Sequence, residues 1–401
     1  MHALGLVLAL AAAQEWSRFR GPNGAGVSPE AGLPASWTDA ETRWKAALPG
    51  GGNSSPVAWG DRVFVTAADE AKGERYLLCL GLADGRERWR KTFPYSKYKI
   101  HKNSSHASST PAADAARVYV LWHAPQSLEF HALDHDGNSV WKADLGRYQS
   151  GHGGSTSPIV HGDRVIVSND HDGESFLAAY EAGTGKPAWK LPRIGDRACY
   201  STPCVLERPG RPAEIVFTHS FRGITGVDAA TGTQRWEIDV FGRHEQRAVG
   251  SPVLFGDLVI GSSGFTSGVR NVVAVRPGEG KAKEVYRLQD RVPHVPTPLV
   301  AGERLYLWSD SGIVTCAEAA TGKIVWQDRV EGTFQGSPVA AGGKIYGMDL
   351  KGVVSVIAAG DQFRVLGRVD LGEPTRATPA VAGGLLLLRT WSRLVAVGGA
   401  R

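Results

Sequence analysis

Short apolar runs that alternate with polar positions recur along this chain, and glycine turns separate them. Arg62-Val63-Phe64-Val65-Thr66-Ala67 alternates as a half-buried strand does. Around it the pattern predicts a short strand from Ser55 to Trp59, a tight turn at Gly60-Asp61, and a third strand from Arg75 to Ala83. A turn at Asp84-Gly85 leads to a fourth strand, Glu87 to Phe93, which carries Trp89. Four antiparallel strands joined by hairpins form one compact sheet.

This unit recurs eight times, at a spacing of roughly 40–55 residues. Each copy opens on a hydroxyl residue and proline: Ser55-Pro56, Thr110-Pro111, Ser157-Pro158, Thr202-Pro203, Ser251-Pro252, Thr297-Pro298, Ser337-Pro338 and Thr378-Pro379. The fourth strand carries an aromatic: Trp89, Trp141, Trp189, Trp236, Tyr286 and Trp326. A flat side chain at that position is expected to cover the gap between neighbouring sheets, docking one on the next. The seventh copy, Ser337 to Leu371, has lost it and reads Asp361-Gln362-Phe363-Arg364-Val365. The eighth stops at Arg401 with about three strands. Thr42-Arg43-Trp44-Lys45-Ala46-Ala47-Leu48 supplies the missing fourth, since Trp44 precedes Pro56 by 12 residues as Trp326 precedes Pro338. The expected fold is therefore all-β: a single eight-bladed β-propeller of four-stranded antiparallel blades spanning 42–401. The N-terminal strand closes it by pairing with the last blade, which removes exposed sheet edges.

The recurring Thr-Gly-x-x-x-Trp turn (Thr184-Gly185…Trp189, Thr231-Gly232…Trp236, Thr321-Gly322…Trp326) and the Ser/Thr-Pro openings resemble the tryptophan-docking repeats of pyrroloquinoline-quinone (PQQ)-like propellers. The resemblance covers roughly Trp44 to the C-terminus. Size and blade count also resemble the outer-membrane assembly lipoproteins of the BamB type. The head, Trp16-Ser17-Arg18-Phe19-Arg20-Gly21-Pro22-Asn23-Gly24, resembles the opening of secreted propellers of this family from planctomycete-type bacteria.

Composition agrees with a turn-rich β protein: 50 Gly and 22 Pro in 401 residues, with 42% hydrophobic residues to build a core. The net charge of +5 comes from scattered Lys and Arg without a basic block or aromatic stripe, which argues against a nucleic-acid groove. Residues 1–13 form a short apolar stretch ending in Ala11-Ala12-Ala13. It reads as a secretory signal cleaved near Ala13, although its n-region has only His2. It is too short to span a bilayer, and no other segment is long and apolar enough. Residues 14–41 form an N-terminal extension expected to plug one face. The protein is expected in the periplasm or secreted, as a monomer.

Cys79 and Cys316 occupy one repeat position in separate blades and read as buried free thiols. Cys199 and Cys204 flank Tyr200-Ser201-Thr202-Pro203. Extended, their α-carbons stand roughly 16 Å apart, beyond disulfide reach. A tight turn would close the gap, so pairing stays open.

Residues just before each Ser/Thr-Pro enter the innermost strands and are expected to line the central opening: Asn53, His106, His152, Arg197 with Tyr200, Arg247, His294, Gln335 and Arg376. Such a ring suits an anionic ligand or an acidic segment of a partner, whereas any propeller mouth is polar where its loops meet water. Asp170-His171-Asp172-Gly173-Glu174 and Asp134-His135-Asp136-Gly137-Asn138 place oxygens at alternate positions as calcium loops do, but they read as Asp-Gly turns. His101 and His106 would meet His152 only across a blade boundary. No Gly-x-Ser-x-Gly elbow or phosphate loop is present.

The resemblance implies two functions. One is an exported, non-catalytic scaffold binding a protein or cell-envelope partner in the BamB manner, with no cofactor. The other is a PQQ-dependent oxidoreductase. Quinone-dependent dehydrogenases of this fold use adjacent cysteines, a carboxylate-and-amide calcium site and a catalytic Asp. This chain has no adjacent cysteines, and no catalytic residue is assigned. A third reading, carbohydrate binding, would stack sugars on Trp122, Tyr200 and Trp391. The residues favour the scaffold.

Overall fold

The computed structural model describes residues 15–195, 197–242, 247–265 and 268–398. The signal sequence expected at 1–13 lies outside them. The strands form eight antiparallel sheets set as blades around a central bore. Blade 1 consists of Val57–Trp59, Arg62–Asp69, Glu74–Gly81 and Glu87–Pro94. Blades 2 to 8 begin with the inner strands Ala112–Ala113, Ile159–His161, Cys204–Leu206, Val253–Phe255, Leu299–Ala301, Val339–Ala341 and Ala380–Ala382. The second and third strands of each blade are the most buried, and the apolar core lies between blades.

Thr42–Ala47 pairs antiparallel with Arg393–Gly398, from Thr42 opposite Val397 to Ala47 opposite Arg393, and completes blade 8. Thr378 N–H donates to Ser55 Oγ (3.2 Å), tying the last blade to the first. The same bond, from the N–H of one opening residue to the hydroxyl of the next, joins seven of the eight blade junctions. Its lengths run from Ser55 to Thr110 (2.9 Å), Thr110 to Ser157 (3.0 Å) and Thr202 to Ser251 (2.9 Å) onward around the bore. This belt is the physical reason for the repeated Ser/Thr. The proline beside it follows from position: an innermost strand is a sheet edge, and proline leaves no N–H unpaired there.

Blade docking uses the aromatics. The Nε1 of Trp44, Trp89, Trp141, Trp189 and Trp326 donates to Leu82, His135, Ala182, Ala229 and Gly360 carbonyls on the following blade at 2.8–3.0 Å, and Tyr286 Oη donates to Ala319 O at 2.8 Å. Trp236 departs from the expectation. It folds back over Gly226 of its own blade and donates to Glu214 Oε2 at 2.6 Å. The carbonyl it would have reached, Pro277 O, is taken by Arg208 (3.0 Å), which also pairs with Glu214 (2.6 Å). Blade 5 carries Pro277-Gly278-Glu279-Gly280 where its neighbours have a Thr-Gly turn.

The extension accounts for the aromatic missing from blade 7. Gly367 stands at the docking position, opposite Val356, and a Cβ there would collide with the Ala35 carbonyl. Leu33 and Trp37 are buried in its place, and Tyr346 Oη donates to Pro34 O (3.2 Å). Blade 7 also departs from four strands, because Val27–Ser28 adds a parallel fifth along its inner edge.

All four cysteines are buried and free, so Cys199 and Cys204 are unpaired. Cys79 and Cys316 both sit directly opposite a docking tryptophan. Among the described residues no helix is long and apolar enough to cross a membrane.

Candidate functional site

The bore has two ends, and the extension closes one. Trp16 bridges Ala58 of blade 1 and Ser17 O accepts from Ala113 of blade 2 (2.8 Å). Asn23 exchanges hydrogen bonds with Val205 of blade 4 at 2.7 and 2.8 Å. Arg20 is fully buried between blades. It donates to Pro298 O (3.0 Å), Pro338 O (2.8 Å) and its own segment's Gly24 O (3.2 Å), and Arg18 donates to Pro203 O. Each of these proline carbonyls lies just ahead of an inner strand, and the two guanidiniums collect them. Burial pushes Arg18 down to about 10 and Arg20 to about 9. The segment turns sharply. Arg20 and Asn23 take left-handed φ of 62° and 49°, and Gly21 (φ 68°) lies so close to the Trp16 ring that no Cβ would fit.

Phe19, between the two arginines, is the floor of a cup that opens on the other face. The third residue before each blade-opening proline lines this cup without exception: Asn53, Ser108, Ser155, Tyr200, Val249, Val295, Gln335 and Arg376. The inner chamber of about 170 Å³ widens into one of about 580 Å³ walled by His101, His152, Arg247, Phe265, His294 and Asp310 among others.

Seven of the nine residues expected at the mouth are brought together here: Asn53, His152, Tyr200, Arg247, His294, Gln335 and Arg376. The structure corrects the other two. His106 is buried against Tyr95 and Tyr98, with ring centroids 4.9 and 4.6 Å away, and does not line the cup. Arg197 is not among the lining residues either, and its Nε is buried without a partner. His101, two residues before Asn103, takes the place expected of His106 and stacks on His152 at 4.7 Å. Ser108, Ser155, Val249 and Val295 were missed, although the constant offset from proline marks them.

Arg376 donates to Gln335 Oε1 (3.0 Å) and Asn103 Oδ1 (3.2 Å), and burial lowers its pKa. Arg247 donates to Ala198 O (2.9 Å) and lies 5.9 Å from the Tyr200 ring. Tyr200 and Ser150 hydroxyls meet at 2.9 Å. Burial, then Arg247 and His101, push His152 down to about 4. Burial also lowers His294, whose Nε2 has no partner. Asp310 accepts from the His294 N–H (2.7 Å) and pairs with Arg270 (3.4 Å).

Neither candidate calcium loop is arranged for a cation. Asp134 accepts from the Asp136 and Asn138 N–H groups, and Asp170 is held by Arg193 at 3.0 and 3.1 Å. No group of three potential metal ligands occurs among the described residues. The sugar-stacking aromatics do not share a face: Trp122 is buried under Phe93 and Arg75, Tyr200 lines the cup, and Trp391 lies over Gly51. Cys199 Sγ faces Ser220 Oγ at 3.2 Å, and Asp310, the one carboxylate lining the cup among the described residues, is already engaged.

A family model described as outer membrane protein assembly factor BamB matches residues 73–290 and 269–398. An outer membrane protein assembly factor BamB from Burkholderia pseudomallei is 23% identical over 362 residues, covering 88% of this chain and 86% of the relative. Among solved structures, BamB from Moraxella catarrhalis superposes with a TM-score of 0.63 at 15% identity, covering 88% of this chain and 96% of that one. A europium-containing methanol dehydrogenase gives 0.67 at 12% identity, covering 96% and 89%. At these identities both superpositions speak to the fold alone.

Proposed function

The chain belongs to the family of the outer membrane protein assembly factor BamB, and on that premise we propose that it is a non-catalytic scaffold of the cell envelope whose open cup receives a protein partner. The observation that carries this reading is a closed ring blocked at one end and open at the other. Phe19 and the buried arginines leave the cup one entrance, so whatever binds approaches from the loop face. Several polar groups at the bore are already in use: belt hydroxyls accept N–H groups, Asp310 is paired, and the thiols are buried, while His294 Nε2 is left without a partner.

A photo-crosslinking residue at exposed Lys102, on the loop face, tests the proposal in the native envelope. The expected product is an adduct with one polypeptide, absent when the probe replaces Thr184 in a turn on the plugged side. Equal adducts from both positions, or none from Lys102, would overturn the scaffold. So would turnover of alcohols or aldoses by the purified chain supplied with PQQ and calcium, which is the outcome the oxidoreductase reading requires.

A further inference from the structure

Several guanidiniums close to the inner strands are buried without a carboxylate partner. Arg18, Arg20 and Arg389 are buried, and no carboxylate among the described residues pairs with them. Arg389 donates to the Ser54 carbonyl at 2.9 Å, while its Nε and Nη2 are buried without a partner. Arg376, at the cup wall, is held by two amide oxygens, which orient a guanidinium without neutralising it. Arg247 stands on a carbonyl. Among the described residues the single carboxylate lining the cup, Asp310, is committed to Arg270 and the His294 N–H. Low-dielectric walls concentrate such a field at the mouth. Exposed Lys99 and Lys102 extend it along the loop that supplies His101 and Asn103. Val249, Val295 and Phe265 add apolar surface to the same lining.

We propose that the cup binds an acidic peptide segment of the partner, with a Glu or Asp carboxylate on Arg376 and an adjoining apolar side chain against Val249 and Val295. The inference rests on the scaffold reading and names what that scaffold recognises. Phe19 blocks the bore, so the segment enters as a loop or chain end and does not thread through. A free small polyacid offers the same carboxylate chemistry, and the test separates the two sources.

The probes are fluorescent hexaglutamate and hexaglutamine, titrated onto the full chain by anisotropy, with citrate as the small acid. Hexaglutamate is expected to bind and hexaglutamine not. Binding should fade near 1 M salt, where the screening length falls to about 3 Å. Arg376→Gln should weaken it about tenfold, with an unchanged unfolding midpoint by circular dichroism. Lys186→Gln, on the plugged face, should leave it unchanged. Arg247→Gln is the second variant should Arg376→Gln misfold, with the same loss expected. Equal hexaglutamate affinity in the mouth variants and the wild type overturns the proposal, as does binding of citrate without hexaglutamate. Crosslinking from Lys102 in Arg376→Gln distinguishes the two failures. An undiminished polypeptide adduct there overturns the acidic segment and leaves the scaffold standing. A wild type without an adduct that still binds hexaglutamate through Arg376 removes the scaffold and keeps the carboxylate seat.

Discussion

The two ends of the bore use the same side chain in opposite ways. At the plugged end Arg20 is wholly buried and spends its donors on carbonyls of blades 6 and 7 and of its own segment. At the open end Arg376 rests on two amide oxygens, facing a cavity. A guanidinium that satisfies several carbonyls from different blades acts as a cross-brace, because losing it strands every one of them. A guanidinium at a cavity wall has little to hold in place. The plugged end therefore contributes to stability, and the open end is free to bind.

The sharpest way to break this contrast is to truncate both arginines. Arg20→Ala leaves buried carbonyls without donors and a hole beneath Phe19, and should cost about 3 kcal/mol. Arg376→Ala should cost under about 1 kcal/mol. Urea unfolding of both variants checks the pair, and equal losses would erase the distinction. A smaller effect is expected where the extension leaves the bore. Gly367→Ala drives a Cβ into the Ala35 carbonyl and should cost about 2 kcal/mol. If that variant is neutral, the extension is not held tightly between blades 7 and 8. The belt, which both ends share, should respond less to a single change. Ser337→Ala removes the acceptor for the Thr297 N–H (3.0 Å) and should cost about 1 kcal/mol in the same assay.

The belt and the blades were legible in the sequence because every copy faces the same local problem. Each innermost strand needs an acceptor for its neighbour's N–H and no spare donor of its own, so Ser or Thr before proline recurs eight times. The plug was legible only as an extension. Arg18, Phe19 and Arg20 contact blades far away in sequence, and no local pattern records which carbonyls they meet. Trp236 was misread for a related reason. Its partner is decided by Arg208 and by the turn of the next blade, neither of which its own repeat encodes. At the mouth the error was one of offset. His106 lies five residues before its proline and turns into the blade, whereas the third position faces the cup in every blade.

The last expected difference between the ends is a response to pH. His152 in the cup has its pKa pushed down to about 4 by burial and then by Arg247 and His101, with Arg197 adding to the push and Asp172 opposing it. Its unfolded value is 6.5. Between those values the unfolded chain takes up a proton that the folded chain refuses. Stability is therefore complete above pH 6.5 and is lost progressively as the pH falls toward 4. Buried His123, pushed down to about 3, extends the loss in the same direction. The plug arginines stay charged throughout this range and add no slope. His152→Asn should flatten part of the decline in unfolding midpoint between pH 6.5 and 4, whereas Arg20→Lys should lower stability without changing that slope. The same linkage applies to binding: a carboxylate seated in the cup would offset the positive field and make His152 easier to protonate. Hexaglutamate affinity should then rise as the pH falls toward the folded His152 value of about 4, a rise cut short where the peptide's own carboxylates begin to protonate near about 4.3. A flat affinity profile in the wild type, or the same rise in His152→Asn, would place the bound acid away from this histidine.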